Sequence, residues 1–146
     1  MLISGRNQRR TILGALQAST GELGRVVRER CRTADVLAIV AVVGQVRPEV
    51  PKLLIWDNAP PHMPLVVREA AAAVGITIAF LPFRSPELMP LEELWRGLTQ
   101  TVAANRCYAS LEELADRALA WLDGMSETER LRRCGLQSAK YHWLPT

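Results

Sequence analysis

Asp57 and Glu92 are the two residues of this chain best set up by their surroundings to do chemistry. Asp57 closes the apolar run Leu53-Leu54-Ile55-Trp56 and is followed by the turn formers Asn58, Pro60 and Pro61, with His62 just beyond. Glu92, with Glu93 beside it, sits in the first turn of a helix pattern opened by the proline-rich loop LPFRSPELMP, and 34 residues separate it from Asp57. In open α/β sheets, ligands and catalytic groups gather outside the carboxyl ends of strands, where Asp57 falls. A helix N-terminus favours an ionised carboxylate such as Glu92. Two carboxylates at one sheet edge suit a hard cation such as Mg²⁺ or Mn²⁺, and Mg²⁺ commonly uses one or two carboxylates together with waters and substrate phosphates. Two such ions about 4 Å apart can activate an attacking hydroxyl and stabilise a leaving oxygen in phosphodiester chemistry. Each residue also has a purely structural use: Asp57 and Asn58 in an Asx turn, Glu92 at a helix start, His62 as a loop histidine.

The elements around these acids follow from periodicity and punctuation. Thr11–Ala18 and Leu23–Arg30 read as a β-hairpin, with Gly21 supplying a positive φ in the turn. Thr33–Val46 is apolar without a clean period; Thr33 as N-cap and Asp35 in the first turn make it a buried crossover helix that Gly44 and Arg47-Pro48 end. Lys52–Asp57 is a buried, parallel-type strand. Pro64–Val74 is a helix with Pro64 at its first position, a stripe of Val66, Val67, Ala70 and Val74, and Gly75 as its stop. Ile76–Phe80 is a second strand. Pro90–Arg106 is an amphipathic helix with Leu91, Leu94, Trp95, Leu98 and Val102 on one face. Ser110-x-x-Glu113 and Ser126-x-x-Glu129 open two further helices as capping boxes.

Bulk properties narrow the class. A chain of 146 residues, 49% of them hydrophobic, fits one soluble α/β domain with a real core. No apolar run reaches the roughly 18 residues that span a bilayer, and no signal-peptide pattern opens the chain, so a cytoplasmic, membrane-free setting is expected. Three scattered cysteines support neither a disulfide framework nor a zinc site, and Cys107 and Cys134 read as small core residues. Sixteen of the eighteen cationic side chains are arginine, and residues 1–33 hold seven of them, including Arg6, Arg9 and Arg10, against Glu22 and Glu29. An arginine-rich segment suits nucleic-acid phosphate, although a GC-rich coding bias with merely solvated side chains yields the same composition.

DNAPPH (57–62) and FLPFRSPELMPLEELW (80–95), at this spacing, resemble the catalytic core of DDE transposases of the mariner superfamily, in its bacterial insertion-sequence branch. RNQRRTILGALQASTGEL (6–23) resembles the first hairpin of that family. The resemblance implies an RNase H-like mixed sheet flanked by helices, and metal-dependent cleavage and strand transfer of DNA at transposon ends. It implies that Asp57 and Glu92 are the second and third catalytic, metal-binding carboxylates, that Asn58 and His62 match the motif positions flanking Asp57, and that Trp95 packs against the sheet. This chain departs from the pattern in several places. The first, central strand with its catalytic aspartate is missing, so residues 1–146 read as a single incomplete catalytic domain. Met89 stands where the family has a capping Asn, Glu87 replaces Asp, and Phe83-Arg84 replaces Pro-Tyr. Asp35 is a poor substitute for the first aspartate.

The resulting expectation is a transposase-type endonuclease, nucleoid-associated when on DNA, with little activity unless a second copy or a missing N-terminal fragment supplies the strand. A non-catalytic nucleic-acid-binding remnant using Arg6, Arg9, Arg10, Asn58 and His62 is the alternative. A metal-independent α/β interaction module is the third class.

Overall fold

The structure, a computed structural model, describes residues 2–5, 8–57, 64–82, 88–103 and 108–137; side chains are described for these except at 2–5, 8, 9 and 103. Strand β2 (Gln8–Leu16) and strand β3 (Leu23–Arg28) form the expected hairpin, in antiparallel register from Thr11↔Arg28 to Leu16↔Leu23. Both strands end two residues earlier than read from sequence; β2 does so because the turn bonds begin at Gln17: its N–H donates to Glu22 O at 2.9 Å, and Gly21 N–H donates to Gln17 O at 2.8 Å. Gly21 has a φ of 88°, and a Cβ there would run into the backbone of Glu127. The hairpin is not the whole of this sheet. A strand before the hairpin, expected to be missing, is present: β1 (Leu2–Gly5) lies antiparallel along the other edge of β2, from Leu2↔Thr11 to Gly5↔Gln8, and carries no acid. The edge of β2 away from β3 is therefore covered over Gln8–Thr11.

Helix α1 (Thr33–Gln45) follows. Its N-cap is Arg32 rather than Thr33, and Asp35 accepts the Arg32 N–H at 2.8 Å. Gly44 lies inside the helix instead of ending it; a Cβ there would sit 2.9 Å from Cγ2 of Val74, so glycine permits a close approach. The chain leaves the helix through Arg47, at φ 45°, and Pro48. Strands β4 (Lys52–Trp56) and β5 (Ile76–Phe80) pair in parallel from Lys52↔Ile76 to Trp56↔Phe80, joined by helix α2 (Leu65–Ala73). Pro64 is the N-cap of α2, one place earlier than expected. Val67 and Ala71 form its buried stripe, while Val66 and Val74, expected within it, are exposed. Strand β4, expected to be buried, is covered unevenly: Trp56 is buried and Leu53 is 49% exposed.

The described strands thus form two sheets, β1-β2-β3 and β4-β5. What joins them is apolar. Leu13 of β2 and Trp56 of β4 share one cluster with Val36, Ile39 and Val40 of α1, Val67 and Ala71 of α2, and Ile76 of β5. On the opposite face of β2, Ile12 belongs to a second cluster built by helices α3 (Leu91–Leu98), α4 (Leu111–Asp123) and α5 (Glu127–Arg133). Ile12 and Leu13 point oppositely because strand side chains alternate.

Both capping serines act as read: Ser110 Oγ and Ser126 Oγ each accept an N–H, from Glu113 and Glu129, at 3.1 Å. Their partner glutamates differ from the expected box. Glu113 reaches back to Ala109 N–H at 3.0 Å, and Glu129 turns to Arg132 and Arg133. Arg130 is buried without a carboxylate among its recorded partners; it donates to Leu122 O through Nε and Nη2 (3.3 and 3.1 Å) and to Gly21 O through Nη1 (3.2 Å). It ties the end of α4 to the β2–β3 turn. Gly135, at φ 72°, closes α5. Cys107 and the tail from 138 lie outside the described residues.

Two outcomes follow. Ile39→Ala, in the cluster that joins the sheets, is expected to lower stability by about 2–5 kcal/mol in urea unfolding; a loss under about 1 kcal/mol would remove that cluster from its joining role. Burial pushes the Cys134 thiol up from about 9 to about 11. The folded state therefore holds its proton more tightly, and that contribution is whole below pH 9 and lost as pH rises toward 11. The parent chain should lose stability faster than Cys134→Ala across this window, and parallel slopes in melts at stepped pH would contradict the assignment.

Candidate active site

Asp57 follows directly on β4, at the carboxyl end of the parallel pair, and is exposed. The residue before it is fixed: Trp56 is 7% exposed, and its ring lies 6.4 Å from that of its register partner Phe80. Leu81 N–H donates to Trp56 O at 2.8 Å, so the two chains leave the sheet side by side. Asn58 and His62 fall outside the described residues, as does Arg6.

Glu92 lies in the first turn of α3, exposed, with Glu93 paired to Arg96 at 2.9 Å. The helix is anchored on its other side, as the amphipathic pattern requires. Leu94 and Leu98 are fully buried, and Val102 follows them into the same cluster. Trp95 lies against β2 at Gly14, where a Cβ would come within 2.9 Å of the indole Cη2. Gly97 opens a similar approach for Trp121 of α4, whose Cη2 would lie 3.1 Å from a Cβ there. Regular α-helix stops at Leu98, earlier than expected; Thr99–Ala103 forms a wider π-type turn, and Thr99 Oγ1 donates back to Trp95 O at 3.0 Å. Residues 104–106, also assigned to this helix, fall outside the described residues.

The start of α3 reaches the Asp57 strand through Met89. Pro90 is the N-cap and no side chain caps the helix, as the substitution of Met89 for a capping Asn implies. The Met89 side chain packs instead against the cluster containing Trp56. Glu92 N–H donates to Met89 O at 3.1 Å, linking the acid to that anchor. The residue before Asp57 and the residue three before Glu92 thus share one apolar cluster. Among the described residues, no group of three or more His, Cys, Asp or Glu is arranged to hold a metal ion. Asp35 is committed elsewhere: it accepts the Arg32 N–H and lies 3.8 Å from the Arg28 guanidinium.

Of the arginines expected to hold nucleic acid, Arg10 alone has a described side chain. Arg10 is paired with Glu112 of α4 at 2.6 Å, an ion-pair use that composition cannot foretell. Arg9 lies on β2 with its side chain outside the description. Arg68, not singled out from sequence, sits 5.4 Å over the Phe80 ring. Its signal was available only as spacing: an arginine in the first turn of the helix that follows Asp57.

A mixed α/β core with one acid at a parallel strand end and another at a helix start defines the class: the RNase H-like fold of transposase catalytic domains. Residues 2–115 match the family described as DDE superfamily endonuclease, and the chain belongs to that family. It is similar to the Mos1 transposase catalytic domain solved with raltegravir and Mg, at TM-score 0.73 and 17% identity over 93% of this chain and 74% of that one. The Mos1 mariner paired end complex with Mn gives TM-score 0.70 and 16% identity over 97% of this chain and 44% of that one. An uncharacterized protein of Sinorhizobium fredii (strain NBRC 101917 / NGR234), y4pE/y4sA, is 27% identical over 128 residues, 86% of this chain and 93% of its own length. Among the described residues no helix is long and apolar enough to cross a membrane.

Gly14→Val should press on Trp95 and cost about 1–3 kcal/mol by overpacking. The penalty should shrink in a Trp95→Ala background. Urea unfolding of the four variants tests this, and strictly additive losses would show that the two residues do not meet.

Proposed function

We propose that this chain is the catalytic part of a transposase-type endonuclease that cuts and joins DNA at transposon ends. In this reading Asp57 and Glu92 hold a divalent cation, Mg²⁺ or Mn²⁺. The observation that carries it is the convergence of the two acids' supports, Trp56 and Met89, on one cluster in a chain of the DDE superfamily. The donor chemistry fits, since two exposed carboxylates offer hard oxygen ligands and leave room for waters and phosphate oxygens. Such an ion, when bound, polarises a phosphodiester and makes an attacking hydroxyl more acidic. The protein's own part is to hold the acids still. Trp56 fixes one from the sheet, and the Leu94, Trp95 and Leu98 anchors fix the other from the far side of α3. Exposure of both acids leaves a DNA backbone free to reach them.

Two carboxylates hold a metal pair poorly, and the family resemblance calls for a third. Little cleavage is therefore expected from these two carboxylates alone, and a third acid, from a second copy or another chain, would complete the site. The working partners are transposon-end and target DNA, in a cytoplasmic, nucleoid-associated setting. A second reading, a nucleic-acid-binding protein without catalysis, is favoured by the lack of a three-ligand metal cluster among the described residues.

Titration with Mn²⁺, followed by electron paramagnetic resonance, separates the readings. Binding that weakens by at least roughly 10–100-fold in Asp57→Ala and in Glu92→Ala supports the metal site, since even outer-shell losses reach that size. Binding indifferent to both substitutions sinks it. Vigorous Mn²⁺-dependent nicking of supercoiled DNA by the unsupplemented chain would overturn the expected weak activity.

A further inference from the structure

Most described arginines are spoken for. Arg10, Arg25, Arg28, Arg96, Arg132 and Arg133 each lie within ion-pair distance of a carboxylate, and Arg130 is bonded to carbonyls. Exposed guanidiniums with no ion pair among the described residues include Arg30 and Arg32, between β3 and α1, and Arg68, in the first turn of α2.

These three lie at one end of the molecule, by the following geometry. Gly44, near the end of α1, touches Val74, which caps the end of α2. Lys52 N–H, at the start of β4, donates to Gly75 O at 2.9 Å, beside the start of β5. The C-terminal ends of both helices and the N-terminal ends of both strands therefore share one end of the structure. The starts of α1 and α2 and the carboxyl ends of β4 and β5 share the other. Arg68 is fixed there directly, over the ring of Phe80, the last residue of β5 and the register partner of Trp56. Arg30 and Arg32 flank Cys31, whose thiol is pushed up by partial desolvation and by the negative charges of Asp35 and Asp57. Asp57 is thus close enough to this junction for its charge to be felt.

The acids on this rim do not cancel the arginines. Asp35 is taken up by Arg28 and the Arg32 N–H. Asp57 is the carboxylate assigned to the cation. Glu29 and Glu69, the exposed sequence neighbours of Arg30 and Arg68, form no ion pair with them among the described residues.

We propose that Arg30, Arg32 and Arg68 form a phosphate-gripping rim that lays a DNA strand across the carboxyl end of β4, next to Asp57. The assignment rests on the DNA-cutting reading above and names the surface by which that site takes its substrate. Arginine suits the task through its planar fork of donors and its weak hydration. Stacking on Phe80 pre-orders the Arg68 guanidinium, so less side-chain entropy is lost on contact.

The test is the salt dependence of binding between the whole chain and a short fluorescein-labelled DNA duplex, read by anisotropy. The slope of log K against log salt should flatten by about 0.9 for each phosphate contact removed. Arg30→Ala, Arg32→Ala and Arg68→Ala should each flatten it by about that amount, and Arg68→Lys should keep the slope. The controls Arg25→Ala and Arg132→Ala, whose guanidiniums are occupied by Asp123 and Glu129, should leave it unchanged. Circular dichroism melts matching the parent confirm that the exposed substitutions leave the fold intact. An unchanged slope in the triple variant, or equal flattening in the controls, overturns the rim while leaving DNA binding in place. No salt-dependent binding by the parent chain overturns the DNA reading itself, and the rim with it.

Discussion

Leu13 and Trp56 come from strands that belong to separate sheets, yet they meet in one apolar cluster, and the rest of the architecture depends on that meeting. Backbone hydrogen bonds give each sheet its internal register but set no register between β2 and β4 among the described residues. Helix α1 does the joining. It supplies Val36, Ile39 and Val40 to the shared cluster, and Leu37, Val42 and Val43 pack against the same cluster from around its circumference. That dual service explains an apolar run with no clear stripe, with small alanines at its exposed positions 34 and 41. Non-directional apolar contact tolerates small shifts that a hydrogen-bond ladder forbids. Asp57, one residue past Trp56, inherits its position from this cluster.

Helix α3 reaches the same neighbourhood from the other face of β2. Its grip is steric: an indole lies where Gly14 has no side chain, and a second indole lies where Gly97 has none. Only its beginning crosses toward the first cluster, through Met89. A capping asparagine there would bond the backbone locally, whereas methionine reaches into the core, so one residue exchanges a local bond for a long-range contact. The surface ion pairs around this frame, such as Arg10 with Glu112 and Arg25 with Asp123, add modest stability and are screened by salt.

Local signals were legible in the sequence, and long-range ones were not. Hydrophobic period and punctuation placed the start of every described helix to about a residue, though regular α3 stops at Leu98 rather than Arg106, and Gly21, Gly75, Ser110 and Ser126 did what their chemistry dictates. The two acids stood out because each sat beside a change of element. Errors arose where tertiary contact overrides local preference. Gly44 reads as a helix stop but serves helix packing, and Val66 reads as core but faces solvent. The strand Leu2–Gly5 is too short to announce itself without its partner β2. The ion pair of Arg10 could not be read from sequence because its partner, Glu112, lies 102 positions away. Distinguishing occupied from available arginines needed the folded chain.

Arg130 carries a last consequence. Its charge is shielded from solvent, and its bonds run to peptide carbonyls at the tip of the hairpin and the close of α4. Mobile ions screen exposed charges but reach buried ones far less. Concentrated salt that loosens the surface ion pairs therefore leaves this inner tie in place, and the hairpin turn stays latched to the end of α4.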